Sequence, residues 1–334
     1  MTIHTNQNNI RRLTPRDYEI LAFAYHHAQT SAAAIAKRGG YQVHTVRRTL
    51  EKLTEAGIVV TKAFVDVYRL GFTQFELCFG IASASQRAAQ AFLLKLQQAP
   101  QVAWIGAYAG EYQYVITVCC RNPQELVRFI EEITAQGAVS ITSRHLAVRA
   151  KYTELPLRSF SDRVKLDKAL VFGISGNEKI DLKDHLILAA LSEDASVTTR
   201  SLSNQLDISQ SAVVQRIHSL EKRGIIAGYT YVIDFFNLGY QAFSIMLSTK
   251  RHTLDLTNRV MQFARSKRSI LYVAESVGAY DYKLGVLLRN PSEILSLAQE
   301  ISELLGNELE WLTTLTAFDY KKVMRYPFKA LPEN

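Results

Sequence analysis

Apolar residues follow two spacings along this chain, and the spacings alternate in blocks. In LKDHLILAALSED, Leu182, Leu186, Ile187, Leu188 and Leu191 mark a helix with a broad core-facing side. Thr198 and Thr199 are suited to cap a short helix, RSLSNQL. After the turn DIS, Ser209 is placed to cap a third helix, QSAVVQRIHSLEKRG, in which Val213, Ile217 and Leu220 form one stripe. Gly224 is placed to stop that helix in a left-handed conformation. The β-branched and aromatic stretch IIAGYTYVIDF then predicts one or two short strands. Further on come a strand QAFSIMLSTK, a helix LTNRVMQFARSK, and two strands, SILYVAESVG and YDYKLGVLLRN. A helix SEILSLAQEISEL, opened by Pro291, and a strand EWLTTLTAFDY complete a β-α-β-β-α-β order, the split ferredoxin-like arrangement. The second face of such a sheet needs cover, so two of them are expected to pair.

The same plan occurs earlier in the chain. TPRDYEILAFAYHHA has Thr14 as cap and Pro15 in the first turn, SAAAIAKRGG is a short second helix, and YQVHTVRRTLEKLTEAG carries Val46, Leu50 and Leu53 as its stripe. IVVTKAFVDVYRLGF supplies strand, and QFELCFGIAS through SITSRHLAVRAKY repeats the β-α-β-β-α-β order. RNPQEL at 121 and RNPSEI at 289 are offset by 289 − 121 = 168, and Gly110, Tyr112 and Tyr114 meet Gly278, Tyr280 and Tyr282 at that offset. Upstream the offset is 167, where Asp17 meets Asp184 and Gly57 meets Gly224. One register held this far predicts a tandem duplication. The expected fold class is α+β, with two winged helix-turn-helix domains alternating with two ferredoxin-like βαββαβ domains. The expected bounds are 11–68 and 72–157, a linker over 158–179, then 180–235 and 240–328. A flexible linker of about 20 residues spans ~25 Å on average, enough for the two copies to pair within one chain.

Three helices, a tight turn before the third and a β-ribbon put the polar side of the third helix outward, where it can reach base edges or phosphates. In the first copy that side carries His44, Thr45, Arg47, Arg48 and Lys52; in the second it carries Ser209, Gln210, Ser211, Gln215 and Arg216, with Arg200 nearby. The expected partner is double-stranded DNA; a helical hairpin with a solvated side has the same pattern. The net charge of +8 permits a polyanionic partner, and its distribution sharpens the point. Residues 1–60 hold eight Lys/Arg and four Asp/Glu, 8 − 4 = +4, whereas residues 181–235 hold five and seven, 5 − 7 = −2. The first head is therefore expected to deliver more of the salt-dependent attraction.

The stretches ISQSAVVQRIHSLEKRGIIAGYTYVIDFFNLGY and VAESVGAYDYKLGVLLRN resemble the Lrp/AsnC family of transcription regulators, the second through a G-x-Y-D turn carried by Gly278, Tyr280 and Asp281. Taken as two copies, the resemblance covers nearly the whole chain. It implies DNA binding, assembly into homo-oligomers through the βαββαβ modules, and a small effector such as an amino acid bound between those modules. Ser276, Gly278, Tyr280 and Asp281 are the effector-site candidates, with the Asp281 carboxylate accepting from an ammonium group; an Asp in such a turn equally well bonds its own backbone. The first copy has Gln113 at the position of Asp281, and a neutral Gln cannot provide the same charge, so at most one such site per chain is expected.

Other classes find less support. There is no GxSxG, Walker A or GxGxxG, and no HxxxH or His–Cys cluster, so no catalytic residue, cofactor or metal site is expected. Sirohaem decarboxylases share the architecture and are kept as the alternative, as is an assembly module that has lost DNA binding. On the strands QVAWIGAYAGEYQYV and ILYVAESVGAYDYKL, Lys283 is the one cation, which disfavours a polycarboxylated tetrapyrrole. Cys78, Cys119 and Cys120 read as buried, inert thiols. Tyr25–His26–His27 is expected to end a helix, with cations favouring its dipole, and Trp104 and Trp311 are expected in the core or an interface. No apolar run approaches the ~20 residues of a membrane span, and the polar start lacks a secretory core, so a cytoplasmic location is expected.

Overall fold

The computed structural model describes residues 13–83, 85–135, 139–166 and 169–328. Residues 11 and 12, expected to open the first head, lie outside them.

The first head begins with α1 (Pro15–Ala24), where the Thr14 hydroxyl accepts from the Asp17 amide and the Asp17 carboxylate returns to the Thr14 amide. Helix α2 (Ala32–Gly39) follows, and then α3 (Val43–Glu55), which buries Val46, Thr49 and Leu53. Strand β1 (Val59–Val65) leads into the first βαββαβ unit: β2 (Thr73–Ser83), α4 (Gln86–Gln98), β3 (Val102–Ala109), β4 (Tyr114–Cys120), α5 (Pro123–Thr134) and β5 (Val139–Glu154). After a short β6 (Leu170–Phe172) the order recurs. The second head has α6 (Leu182–Glu193), α7 (Thr199–Leu206), α8 (Gln210–Lys222) and β7 (Ile226–Ile233). The second unit has β8 (Gln241–Thr249), α9 (Leu254–Ser266), β9 (Ile270–Gly278), β10 (Tyr282–Leu288), α10 (Glu293–Leu305) and β11 (Leu309–Val323). The turn before each third helix needs a left-handed residue: Gly40 takes it at φ 71° in the first head and Asp207 at φ 49° in the second.

The heads differ from expectation in one respect. The stretch after each third helix forms no ribbon of its own. It gives one strand, and β1 pairs antiparallel with β7 from Val59↔Ile233 to Phe64↔Gly228, so the two heads share a single ribbon. The Gln29 side chain donates to the Ala195 carbonyl at 2.6 Å, and the Ala195 amide donates to the Thr61 carbonyl at 2.8 Å, tying the heads together.

Each βαββαβ unit has the sheet order last-first-third-second: β5-β2-β4-β3 and β11-β8-β10-β9. The two sheets join edge to edge, β3 to β11 and β9 to β5, and close an eight-stranded antiparallel barrel with β6 added beside β5. The expected pairing thus occurs within the chain. It is made by the edges of the two sheets, which pair between the halves of one chain.

Strand alternation separates the two faces of the barrel wall. Phe75, Leu77 and Phe79 of β2 point outward and pack with Phe92, Leu96, Leu126 and Phe129 of α4 and α5. Gln74, Glu76 and Cys78 occupy the alternate positions and face inward. Cys119 and Cys120 likewise take opposite faces, and burial pushes both thiols up to about 12.

In the segment 158–179, expected as a flexible linker, described residues are packed. Phe160 is buried against Tyr18, Phe235 and Tyr240, Phe172 stacks on Phe64 at 3.9 Å between centroids, and Arg158 holds the Lys267 carbonyl at 3.0 Å. Between them Phe160 and Phe172 find partners on both halves, which linker composition did not reveal.

The β9–β5 seam makes a test of barrel closure. Gly278 has φ +125°, and a Cβ there would meet the Leu146 carbonyl oxygen at 2.5 Å. Gly278→Ala is expected to lower unfolding stability by about 2 kcal/mol or more, read as a shifted urea midpoint.

Candidate functional site: two heads and a charged barrel interior

The α3 surface exposes His44, Arg47, Arg48 and Lys52, with Thr45 half-buried. Lys52 lies 3.5 Å from Asp17 but is 60% exposed, so this is a loose surface pair that leaves the ammonium deliverable. In the second head Arg200, Ser209, Gln210, Ser211 and Gln215 are exposed. The Ser209 hydroxyl caps α8 by accepting from the Ala212 amide at 3.2 Å and lies 2.9 Å from the Ser211 hydroxyl.

Arg216 departs from expectation. Its guanidinium donates to Asp184 at 2.6 Å and to Asp181 at 3.0 Å, bracing the third helix of its head against the start of the first. The matching residue of the first head, Thr49 (216 − 167 = 49), donates to Asp17 at 3.3 Å. Arg216 therefore fills a packing position, and the cations it was grouped with are freer than it is.

Facing sides of α3 and α8 border one cleft of about 760 Å³. Glu51 and Glu55 line it from one helix, and His218 and Glu221 from the other. These carboxylates repel phosphate from the cleft. Access for a polyanion is left to the amino-terminal halves of the helices, where His44, Arg47, Arg48, Gln210 and Ser211 lie.

The four effector candidates do not converge. Tyr280 is fully buried and its hydroxyl donates to Glu76 inside the barrel at 2.5 Å. Asp281 turns away from it and accepts from the Thr249 amide at 2.7 Å and the Thr249 hydroxyl at 2.9 Å. Gly278 serves the seam, and the buried Ser276 hydroxyl oxygen has no hydrogen-bond partner among the described residues. The first half explains Asp281: Gln113 accepts from the Ile81 amide at 2.9 Å, and 113 + 168 = 281 while 81 + 168 = 249. A neutral amide and a carboxylate brace the same turn, so the position asks for an acceptor rather than a charge.

A more concentrated site lies inside the barrel. Glu76 on β2 accepts from Lys283 on β10 at 2.7 Å and from Tyr280, and its other oxygen pairs with Arg149 on β5. Arg149 also donates to Gln74 at 2.8 Å. Burial by itself would raise the Glu76 carboxyl; Lys283 and Arg149 outweigh it and hold the group at about 2. Glu154, at the end of β5, accepts from Arg325 at 2.6 Å and lies 3.4 Å from His26 Nε2. Burial again raises it, and Arg325 and His26 bring it to about 2. His26 therefore faces a buried carboxylate rather than the end dipole of α1. Beside these groups is a cavity of about 150 Å³, with Trp104 on its wall.

Sequence reasoning singled out Tyr280, Lys283 and His26 without this role and missed Glu76, Arg149, Glu154 and Arg325. It weighed the hairpin strands β3, β4, β9 and β10, while Glu76 and Arg149 stand on the first and last strands of their unit. The available signal was a charge at an alternate position of an otherwise apolar strand, as in QFELCF.

Comparison with known proteins follows the same division. The winged helix-turn-helix DNA-binding family matches residues 180–227, and the Lrp/AsnC ligand binding domain matches residues 78–156. The chain is 42% identical over 66 residues to the HTH-type transcriptional regulator LrpA of Pyrococcus horikoshii, covering 20% of this chain and 47% of that one. It thus spans about half of that relative's length. It is 30% identical over 127 residues to an uncharacterised HTH-type transcriptional regulator, PH0061, of the same organism, covering 38% of this chain and 83% of that one. In fold it matches the crystal structure of the siroheme decarboxylase NirDL at a TM-score of 0.58 and 14% identity, over 95% of this chain and 94% of that one.

The buried carboxylates set an acid limit. A carboxyl whose folded value is depressed stabilises the protein above its unfolded value, and that stabilisation is lost as pH falls through the folded value. For Glu76 the window runs from 4.5 down to about 2. Urea midpoints measured across this range are expected to fall steeply in the wild type. The fall should be shallower in Glu76→Gln, whose midpoint near neutral pH is itself lower. A profile of unchanged steepness in the variant would contradict the assignment.

Proposed function

Because the chain belongs to the Lrp/AsnC family, we propose that it is a DNA-binding transcriptional regulator whose two halves act as a built-in pair of heads. The reading rests chiefly on one observation: both third helices are exposed on their polar sides while their apolar stripes are buried. The shared β1–β7 ribbon supports it, since it holds the two helices in one fixed relation, as two half-sites on a duplex require. The recurrence of the element order at offsets of 167 and 168 supports reading the halves as copies of one unit.

The heads are not equivalent. Arg47 and Arg48 are exposed, whereas Arg216 is held by two carboxylates. The first head therefore supplies the phosphate attraction and the second contributes through Arg200, Gln210, Ser211 and Gln215. An operator with unlike halves follows from unlike heads.

The second reading, a sirohaem-decarboxylase-like enzyme, is favoured by the whole-chain correspondence in fold. The barrel cavity, at about 150 Å³, argues against it. A space of roughly that size accommodates about one benzene ring, not four pyrroles with their carboxylates. Incubation with sirohaem is expected to leave its absorbance spectrum unchanged; a stoichiometric spectral shift or loss of carboxylate would support the enzyme.

Selection from a random DNA pool is expected to return a defined site with two dissimilar halves; a failure to enrich any sequence would overturn the regulator reading. On the selected site, Arg47→Ala with Arg48→Ala is expected to reduce the slope of log affinity against log salt by about 2. Arg216→Ala is expected to leave the slope nearly unchanged and to lower stability by about 1 kcal/mol.

A further inference from the structure

The barrel cavity has a charge imbalance. Arg149, Lys283 and Arg325 line it, and the carboxylates that pair with them are two, Glu76 and Glu154. Arg149 and Lys283 share the single carboxylate of Glu76. The buried group thus carries an excess of one positive charge, and uncompensated charge in a protein interior is costly. Two donors are also left over: the Nε atoms of Arg149 and Arg325 are buried and have no hydrogen-bond partner among the described residues. An unused guanidinium N–H beside a cavity calls for an acceptor.

Apolar parts of the wall specify what else must be there. Trp104, Tyr152 and Tyr272 present ring surface to the cavity, and Tyr152 and Tyr272 stack on each other at 5.0 Å. The space, about 150 Å³, suits a single small ring with a short substituent.

We propose that this cavity binds a small monoanionic carboxylate with a flat apolar body and no ammonium group. The carboxylate neutralises the excess cation and accepts from the free guanidinium N–H groups, while the body lies among the aromatic rings. An amino-acid zwitterion brings no net charge, so it leaves the imbalance in place. The site is separate from the turn at Asp281.

Its location gives it a consequence for the heads. Thr230 and Tyr231 of the β7 strand close one side of the cavity, and Tyr25 from the end of α1 joins them. The Tyr231 amide donates to the Tyr25 carbonyl at 3.1 Å, so a ligand here touches the ribbon that relates the two heads. That a ligand changes DNA affinity rests on the reading of the heads given above; that it binds does not.

Titration calorimetry on the full chain without DNA tests the site, using benzoate, phenylpyruvate, benzyl alcohol and L-phenylalanine as probes. Saturable binding of benzoate or phenylpyruvate is expected at one per chain, with benzyl alcohol and L-phenylalanine at least ~10-fold weaker. Ala242→Leu, which fills the cavity without altering charge, is expected to abolish binding. Arg325→Gln is expected to weaken it by ~10-fold or more while thermal unfolding stays cooperative. Cooperative unfolding is checked for both variants, and the comparison of benzoate with benzyl alcohol and L-phenylalanine on the unaltered chain decides the site if either variant fails to fold. The site is overturned by absence of carboxylate binding, by equal affinity for benzyl alcohol or L-phenylalanine, or by full affinity in Arg325→Gln. Carboxylate binding with no effect on a DNA titration would remove the link to the heads and leave the site standing.

Discussion

Closure of two four-stranded sheets into one ring is the constraint on which the rest of this molecule depends. Once β3 meets β11 and β9 meets β5, the four-stranded sheets leave no open edge at these seams among the described residues, and central inner-face residues such as Gln74, Glu76 and Cys78 are buried. Enclosure converts ordinary polar side chains into a demanding interior. Glu76 comes from the first half, and Lys283 and Tyr280 from the second, so the central ion cluster exists only when the halves are joined. At the corresponding positions of the other half Glu76 and Lys283 are replaced by Ser244 and Val115 (76 + 168 = 244 and 283 − 168 = 115), which makes the interior asymmetric although the two seams pair in corresponding register.

The same joining organises the heads. A single strand after each third helix has too few hydrogen bonds to stand alone, and it becomes half of a ribbon by meeting its counterpart. The ribbon lies over the barrel cavity, and the segment 158–179 is packed alongside through Phe160 and Phe172. Heads, ribbon and barrel interior are therefore contiguous. A change inside the barrel has a direct physical route to the relation between α3 and α8.

Asymmetry runs through both levels. The first head carries exposed cations, and the second spends Arg216 on its own first helix. In the barrel, the turn at Asp281 and the turn at Gln113 make equivalent hydrogen bonds with different charge. What the two halves share is element order, strand order and the register of their seams. What they do not share is the charge placed upon them, and it is the charge that distinguishes a head with exposed cations from a braced one.

The element order was legible in the sequence because it depends on local facts. Apolar spacing, caps at Thr14, Thr198 and Ser209, and stops at Gly57 and Gly224 act within a few residues of each other. The recurrence at 167 and 168 was legible for the same reason. Which residues make a site was not local. Asp281 stood in a suggestive turn, yet its bond goes to Thr249, and Arg216 stood on a suggestive helix, yet it is bound to Asp181 and Asp184. Glu76 and Arg149, unremarked in their strands, meet across a ring closed by residues far apart in the chain. By itself the sequence determined the parts and their order, since propensity and periodicity are short-range. Only the tertiary structure decided which charges are buried together, because that depends on register across seams between the halves.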